Sequence, residues 1–217
     1  GSPCSPTIAN IFAHYVIDEW FEKVVRVHSK GRVELFRYCD DGVICCQFKE
    51  DAARIKRALS KRLAKYKLKL NEEKTSCVPF SRRAYQQGKK QGVFHFLGFT
   101  FYWGRSRNGA CIPKVKTHGK RMRSKLKNVN EWARQVRNEY RLTYIWKLFC
   151  SKLEGHIRYF GVSFNAGWVS TFVNKAVEIL FKWLNRRSQR KTFSWERFNL
   201  FIEAHPLPKV KVHHSLF

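Results

Sequence analysis

The sequence predicts an α+β chain in which strands and helices are mixed to about residue 116 and helices alone follow. Three observations carry this reading. Two β-rich runs, 32–38 and 43–48, have Asp40-Asp41-Gly42 as the only polar break between them, the pattern of a hairpin with an acidic tip. A second alternating run, 93–103, turns near 105–109 and returns over 110–115. Beyond Lys116, apolar residues recur at helical spacing, as in Leu126/Val129/Trp132/Val136 and Phe172/Ala176/Ile179/Trp183.

The remaining elements follow in chain order. Residues 7–21 read as a helix after a Pro-rich entry, with Ile8, Ile11, Phe12, Tyr15, Val16 and Ile17 near helical spacing, and Gly31 marks the turn beyond it. Residues 50–66 form an amphipathic helix whose buried stripe is Ala52, Ile55, Leu59, Leu63 and Tyr66, with Lys and Arg on the other face. Residues 67–80 read as a short strand, a turn at Asn71-Glu72-Glu73-Lys74 and a second strand, and 81–91 as a basic loop. Three helices are expected near 120–139, 142–161 and 166–187, and the tail with Pro206 and Pro208 shows no clear periodicity. The expected domains are therefore 1–116 and 117–217.

Charge narrows the function. The 217 residues hold 43 Lys and Arg against 16 Asp and Glu, a formal net charge of +27. Such an excess repels itself unless a polyanion neutralises it, and nucleic acid is the expected partner because each phosphate contact releases a condensed counterion. An anionic membrane surface is the rival, disfavoured because no basic helix keeps a clean apolar face for lipid. No stretch approaches the ~20 apolar residues that span a bilayer. Seven cysteines lack CxxC spacing and mostly sit in apolar runs, as free buried thiols do in a reducing compartment. No Cys/His cluster has zinc-ligand spacing.

Two adjacent carboxylates at a hairpin tip raise one another's pKa unless a cation lies beside them. Divalent Mg²⁺, a hard ion that prefers carboxylates together with substrate phosphates, answers that need. An Asp-Asp-Gly turn alone is most simply a solvated turn; Tyr38-Cys39 and the flanking β runs favour the metal.

Phe36-Arg37-Tyr38-Cys39-Asp40-Asp41-Gly42-Val43-Ile44 resembles the YxDD box of reverse transcriptases, in the form found in group II intron-encoded proteins. Gly1-Ser2-Pro3-Cys4-Ser5-Pro6 resembles the GSPxSP box, Leu70-Asn71-Glu72-Glu73-Lys74-Thr75 the LNxxKT box and Phe96-Leu97-Gly98-Phe99 the FLGF hairpin, all in family order. Gly155-His156-Ile157-Arg158-Tyr159-Phe160-Gly161, Arg186-Arg187-Ser188-Gln189 and Pro206-Leu207-Pro208 resemble the thumb, or maturase X, region. The resemblance implies a partial right-hand polymerase palm of antiparallel strands with helices, followed by an all-helical thumb.

It also implies roles. Asp40 would be the metal ligand of the turn and Asp41 a weaker or indirect one, with two Mg²⁺ ions serving nucleotidyl transfer. Tyr38 would pack beneath the primer terminus, and Gly1, Ser2 and Pro3 would shape the nucleotide and template floor. Lys74 would neutralise or protonate the departing pyrophosphate, or simply be solvated. Phe96, Leu97 and Gly98 would grip the primer, Gly98 otherwise being a plain bend in a strand. Lys120, Arg121, Arg123, Lys125 and Lys127, with Arg186 and Arg187, would track phosphates, although a charged run is as a rule a solvated face. Most thumb aromatics fall on helical stripes and are expected in the core. The implied partners are intron RNA or an RNA template, a DNA primer and dNTP, without a membrane, inside a cytoplasmic or organellar ribonucleoprotein.

The family carries another metal-ligating Asp upstream of the GSPxSP box, so fingers and that Asp are expected on a segment preceding Gly1 or on a complementing chain. Three functions are thus in play: part of an RNA-directed DNA polymerase, a non-catalytic RNA-binding maturase, and a truncated remnant that binds polyanions without specificity. On its own the polypeptide is expected not to polymerise.

Overall fold

The computed structural model describes residues 4–187 and 194–216. Pro6 stands near the start of the first helix, where a missing backbone N–H costs nothing. From there α1 (Ser5–Ala13) runs through two π-helical stretches, His14–Asp18 and Phe21–Val25, into α2 (Arg26–His28). The sequence reading ended this helix near residue 21. It continues because neither Gly nor Pro interrupts residues 7–30, and Val16, Phe21 and Val25 keep one side buried. Of the apolar residues that announced the helix, Val16 is buried and Ile17 half-buried, whereas Ile8, Ile11, Phe12 and Tyr15 are exposed.

The hairpin pairs β1 (Val33–Tyr38) with β2 (Asp41–Cys46), antiparallel, from Val33↔Cys46 to Tyr38↔Asp41. Side chains alternate across a strand, so Val33, Leu35 and Arg37 share one face with Gly42, Ile44 and Cys46. That face lies on the helices, in a cluster of Phe21, Val25, Val33 and Ile55 with Trp20, Leu35, Ile44 and Cys46 at its rim. Ile55 and Leu63 come from α3 (Lys49–Lys65), whose stripe is buried at those two residues while Tyr66 is exposed. Asp51, fully buried in the first turn of α3, accepts from the backbone N–H groups of Gly31 (3.0 Å) and Lys30 (3.2 Å) and pins the turn before β1.

The two strands expected within 67–80 do not form. Only Leu68 and Leu70 are apolar in the first run and Pro79 interrupts the second, and the N–H groups of Lys74 and Thr75 both bond to Asn71 O. The turn at 71–74 is present.

Contacts divide the chain into Gly1–Pro79 and Phe80–Phe217. The change of character at 116 is a change of secondary structure: β5 ends there and helices follow. Ser81 caps the short α4 (Arg82–Gln86), which occupies part of the expected basic loop. A three-stranded antiparallel meander is built from β3 (Phe94–Phe96), β4 (Phe99–Arg105) and β5 (Cys111–Thr117). Three long helices follow, α5 (Gly119–Val136), α6 (Leu142–Phe160) and α7 (Ala166–Leu184). They bury Ile145, Phe149, Leu153, Phe160, Val169, Ala176, Leu180 and Leu184 in one core. The tail, read as aperiodic, contains α8 (Trp195–Ala204), with Phe198 fully buried.

Buried polar groups fix the corners. Asn165 accepts from Thr117 N (2.7 Å) and donates to Phe160 O (2.8 Å), joining the ends of β5, α6 and α7. Gly161 O accepts from His213 N (2.6 Å) and His214 N (3.1 Å), which fastens the C-terminal strand-like segment to the end of α6. A Cβ at Gly161 would stand 2.5 Å from both Ile157 O and Lys211 O.

The cysteines depart from expectation. Cys111 alone is buried among the described residues, Cys46 and Cys150 are half-buried, and Cys4, Cys39, Cys45 and Cys77 are exposed. Apolar neighbours in sequence do not bury a residue that lies on the open face or at the tip of a two-stranded hairpin. No helix among the described residues is long and apolar enough to cross a membrane.

Candidate active site

The acidic tip is tighter than its sequence suggests. Pairing runs as far as Tyr38↔Asp41, so the two-residue loop is Cys39-Asp40, and Asp41 and Gly42 belong to β2. Cys39 takes φ +53°, whereas Asp40 keeps a negative φ. That sign pattern is the one of a type II′ hairpin turn, whose first central position normally goes to glycine. Placing cysteine there stores roughly 1 kcal/mol or more of backbone strain.

Arg37 holds this loop. It lies on the helix-facing side of β1, opposite Gly42, at a position where an aliphatic residue would ordinarily stand. Its Nε and Nη2 donate to the two carboxylate oxygens of Asp18 at 2.7 and 2.6 Å, and its Nη1 donates to Asn10 Oδ1 at 2.9 Å and to Cys39 O at 2.8 Å. The side chains of Arg37 and Asp18 are only 14% and 28% exposed. The guanidinium hydrogen bonds, opposed by partial burial, hold the Asp18 carboxyl below its ordinary value and raise that of Arg37. One arginine thus ties the first helix, its π-helical stretch and the loop carbonyl into a single unit. Arg37 lies within the quoted motif, but its partners are 19 and 27 residues away and no spacing rule announces them.

The opposite face of the hairpin is open. It carries Phe36 (55% exposed) and Tyr38 (62% exposed), with Val43 opposite Phe36 and Asp41 opposite Tyr38. Asp40 and Asp41 are both exposed, so water as well as a cation can solvate them. Neither takes part in an ion pair among the described residues, although Lys and Arg outnumber acids more than twofold. Two adjacent hard oxygen donors left without a cationic side chain fit a divalent metal such as Mg²⁺. No group of three His, Cys, Asp or Glu residues placed to hold a metal occurs among the described residues.

Other expected residues fall elsewhere. Gly1, Ser2 and Pro3 lie outside the described residues, as do Ser188 and Gln189 of the downstream motif. Lys74 is exposed on the separate turn at 71–75 of the same unit, with its N–H on Asn71 Oδ1 at 3.1 Å.

In the second unit the FLGF segment is a tight turn, with Leu97 at φ +50° and Gly98 at φ +79°. The carbonyl of Gly98 accepts from His118 N (2.9 Å), and that of Leu97 from the hydroxyl of Tyr159 (2.9 Å). Phe99 stacks on Tyr159, with ring centroids 5.9 Å apart. The turn is therefore docked on the start of α5 and the end of α6. A Cβ at Gly98 would lie 3.5 Å from the Phe160 ring and 3.8 Å from Arg121 Cγ, so the structure brings Phe96–Gly98 together with the first turns of α5. There Lys120, Arg121, Arg123 and Lys127 are exposed, and Lys127 reaches Glu131 at 3.8 Å. Lys125 differs: it is half-buried 5.5 Å over the Phe160 ring, and burial, then the Arg121 charge, pushes its pKa down. Arg186 and Arg187 follow α7, and Arg187 Nη2 donates to Tyr140 O at 3.0 Å.

No curated protein and no solved structure matches the chain. Residues 1–101, which include the Asp40–Asp41 hairpin, the Lys74 turn and the β3–β4 turn, match the family model described as reverse transcriptase (RNA-dependent DNA polymerase), so this part of the chain is similar to a reverse transcriptase domain.

Proposed function

We propose that this chain carries the metal-binding hairpin and the primer-contacting turn of an RNA-directed DNA polymerase of the group II intron maturase type. The observation that carries the reading is the Asp40–Asp41 pair, free of ion pairs among the described residues, on a loop clamped through Cys39 O by Arg37, within the stretch similar to reverse transcriptases. Asp40 and Asp41 would hold Mg²⁺ together with a third carboxylate from a fingers and palm segment, on this chain's own extension or on a complementing chain. Bound there, Mg²⁺ supplies activation of a 3′-hydroxyl and charge neutralisation at the leaving pyrophosphate.

The chain's own residues do the rest. Tyr38 and Phe36 offer an exposed aromatic surface beside Asp41 on which the primer terminus would rest. Arg37 fixes the loop so that Asp40 needs little reorganisation when it takes up an ion. Leu97 and Gly98, held from below by Tyr159 and His118, would present a tight turn to the primer backbone. The exposed cations of α5 would follow phosphates, and Lys74 would meet pyrophosphate. The open apolar stripe of Ile8, Ile11, Phe12 and Tyr15 is the surface an added palm segment would cover.

The test is RNA-templated primer extension with dNTPs and Mg²⁺, using the chain alone and complemented by the fingers and first palm strands of a group II intron reverse transcriptase. Extension that needs the complement and disappears in Asp40→Asn supports the reading. Synthesis by the complemented protein that is indifferent to Asp40 refutes it. The same basic α5 face also serves a maturase that only holds intron RNA, and extension separates the two.

A further inference from the structure

Two imidazoles stand face to face beside the turn at Leu97–Gly98. His95, on β3, and His118, at the N-cap of α5, have ring centroids 3.9 Å apart and planes 22° from parallel. His95 Nδ1 lies 2.9 Å from the hydroxyl of Thr100, its partner in the hairpin register and a buried residue. The His118 side chain bonds to no backbone N–H of α5, so the helix does not need this ring as a cap. The backbone of His118 does hold the turn, because its N–H donates to Gly98 O at 2.9 Å. Ring stack and turn therefore share one residue.

The surroundings of the stack carry one sign of charge. From α5, the charges of Lys120 and Arg123 act on His118, and Arg121 flanks Gly98. From β5, Lys116 stands in register with Thr100, while β4 itself contributes only the Thr100 hydroxyl. From α6 comes the hydroxyl of Tyr159, donated to Leu97 O. No ion pair reaches Lys116, Lys120, Arg121 or Arg123 among the described residues. The N-terminus of α5 adds a partial positive charge. Burial first, then the charges of His95, Lys120 and Arg123, holds the His118 pKa below its ordinary value of 6.5. One proton on the exposed His95 can rest on the neutral His118 ring. A second proton would set two cations about 4 Å apart with no carboxylate to separate them.

We propose that His95 and His118 form a proton-released latch on the primer-contacting turn: stacked, they keep Gly98 O on the start of α5, and protonation of both parts the rings and frees the turn. The stacked form binds fewer protons than the parted one, so acid favours parting and neutral pH favours docking. The consequence for a primer rests on the reading above of Leu97 and Gly98. The latch itself rests on the stack and the bond to Gly98 O.

The experiment is hydrogen exchange of backbone amides in the 217-residue chain, without nucleic acid or metal, corrected for the intrinsic pH dependence of exchange. Protection at His118 N, which reports the bond to Gly98 O, is compared with that at Thr117 N, bonded to the buried Asn165 Oδ1 at 2.7 Å. The ratio of the two should fall about tenfold between about pH 7.5 and about pH 5. Proton uptake linked to His156 weakens the whole unit and lowers both amides together, so the ratio is blind to it. H118F, which keeps a stacking ring and cannot be charged, should abolish the fall. H95F removes one of the two charges and should lessen it; should H118F fold poorly, H95F carries the comparison. A ratio flat over this range, or a fall that both variants leave unchanged, overturns the latch. Neither primer nor metal enters the measurement, so that result leaves the polymerase reading intact. Conversely, primer extension indifferent to Asp40 removes the polymerase reading without touching the ratio.

Discussion

Arg37 meets Asp18 side-on, with Nε and Nη2 at 2.7 and 2.6 Å from the two carboxylate oxygens, while its remaining nitrogen bonds to Cys39 O at 2.8 Å. The pair is largely shielded, so breaking it leaves an uncompensated charge. Arg37→Leu should destabilise the first unit by about 2–3 kcal/mol, and a double-mutant cycle with Asp18→Asn should return a coupling of about 1 kcal/mol or more. Urea unfolding of the four proteins measures both. Because the Asp18 carboxyl is held below its ordinary value of 3.8, the contribution is complete above that pH. It fades as acid protonates the unfolded chain and finally the folded one.

His156 makes the opposite use of burial. It is 5% exposed, sandwiched against Phe172 (3.6 Å) and Phe160 (4.6 Å), and both ring nitrogens lack a partner among the described residues. Burial, aided by the Lys125 charge, pushes its pKa down to about 4 from 6.5. The unfolded chain therefore takes up a proton first as the pH falls. The second unit should lose stability between pH 6.5 and 4, by about 3 kcal/mol in all. His156→Phe should flatten this profile, and its advantage over the wild type should grow toward low pH in thermal unfolding.

Two glycines of the quoted motifs should behave differently. At Gly161 an added Cβ meets two backbone carbonyl oxygens at 2.5 Å, and the chain must move at the junction that holds the C-terminal tail. Gly161→Ala should cost about 3 kcal/mol or more and release that tail to proteolysis. At Gly42 the nearest atom to a Cβ is 3.8 Å away and φ is not positive. Gly42→Ala should change the unfolding midpoint by less than about 0.5 kcal/mol, so any effect on metal binding there is local.

The hairpin was legible because Val33, Leu35, Ile44 and Cys46 alternate toward one face and only an acidic break separates the runs. The loop register was not, because the sequence offers Gly42 as the natural turn residue and the chain instead puts Cys39 at positive φ. The three long helices were legible from stripes of single period. Helix α8 was not, since its apolar stripe of Trp195, Phe198, Phe201 and Ile202 spans only ten residues before Pro206 and Pro208. The expected strands over 67–80 failed because the alternation Lys67-Leu68-Lys69-Leu70 is too short to bury a face and Pro79 breaks the second run. Of the site, the motif named Asp40 and Asp41, but the Arg37 contacts to Asp18 and Asn10 depend on side chains brought together from separate elements. Local spacing is silent about such pairs.

The central claim is that Asp40 and Asp41 form half of a divalent-metal site. Titrating the isotopically labelled 217-residue chain with substoichiometric Mn²⁺ and following its amide resonances tests it. The account predicts weak binding that broadens residues 38–42 selectively, persists in Glu72→Gln and is lost in Asp40→Asn. Broadening centred elsewhere, or unchanged at the hairpin in Asp40→Asn, would contradict it.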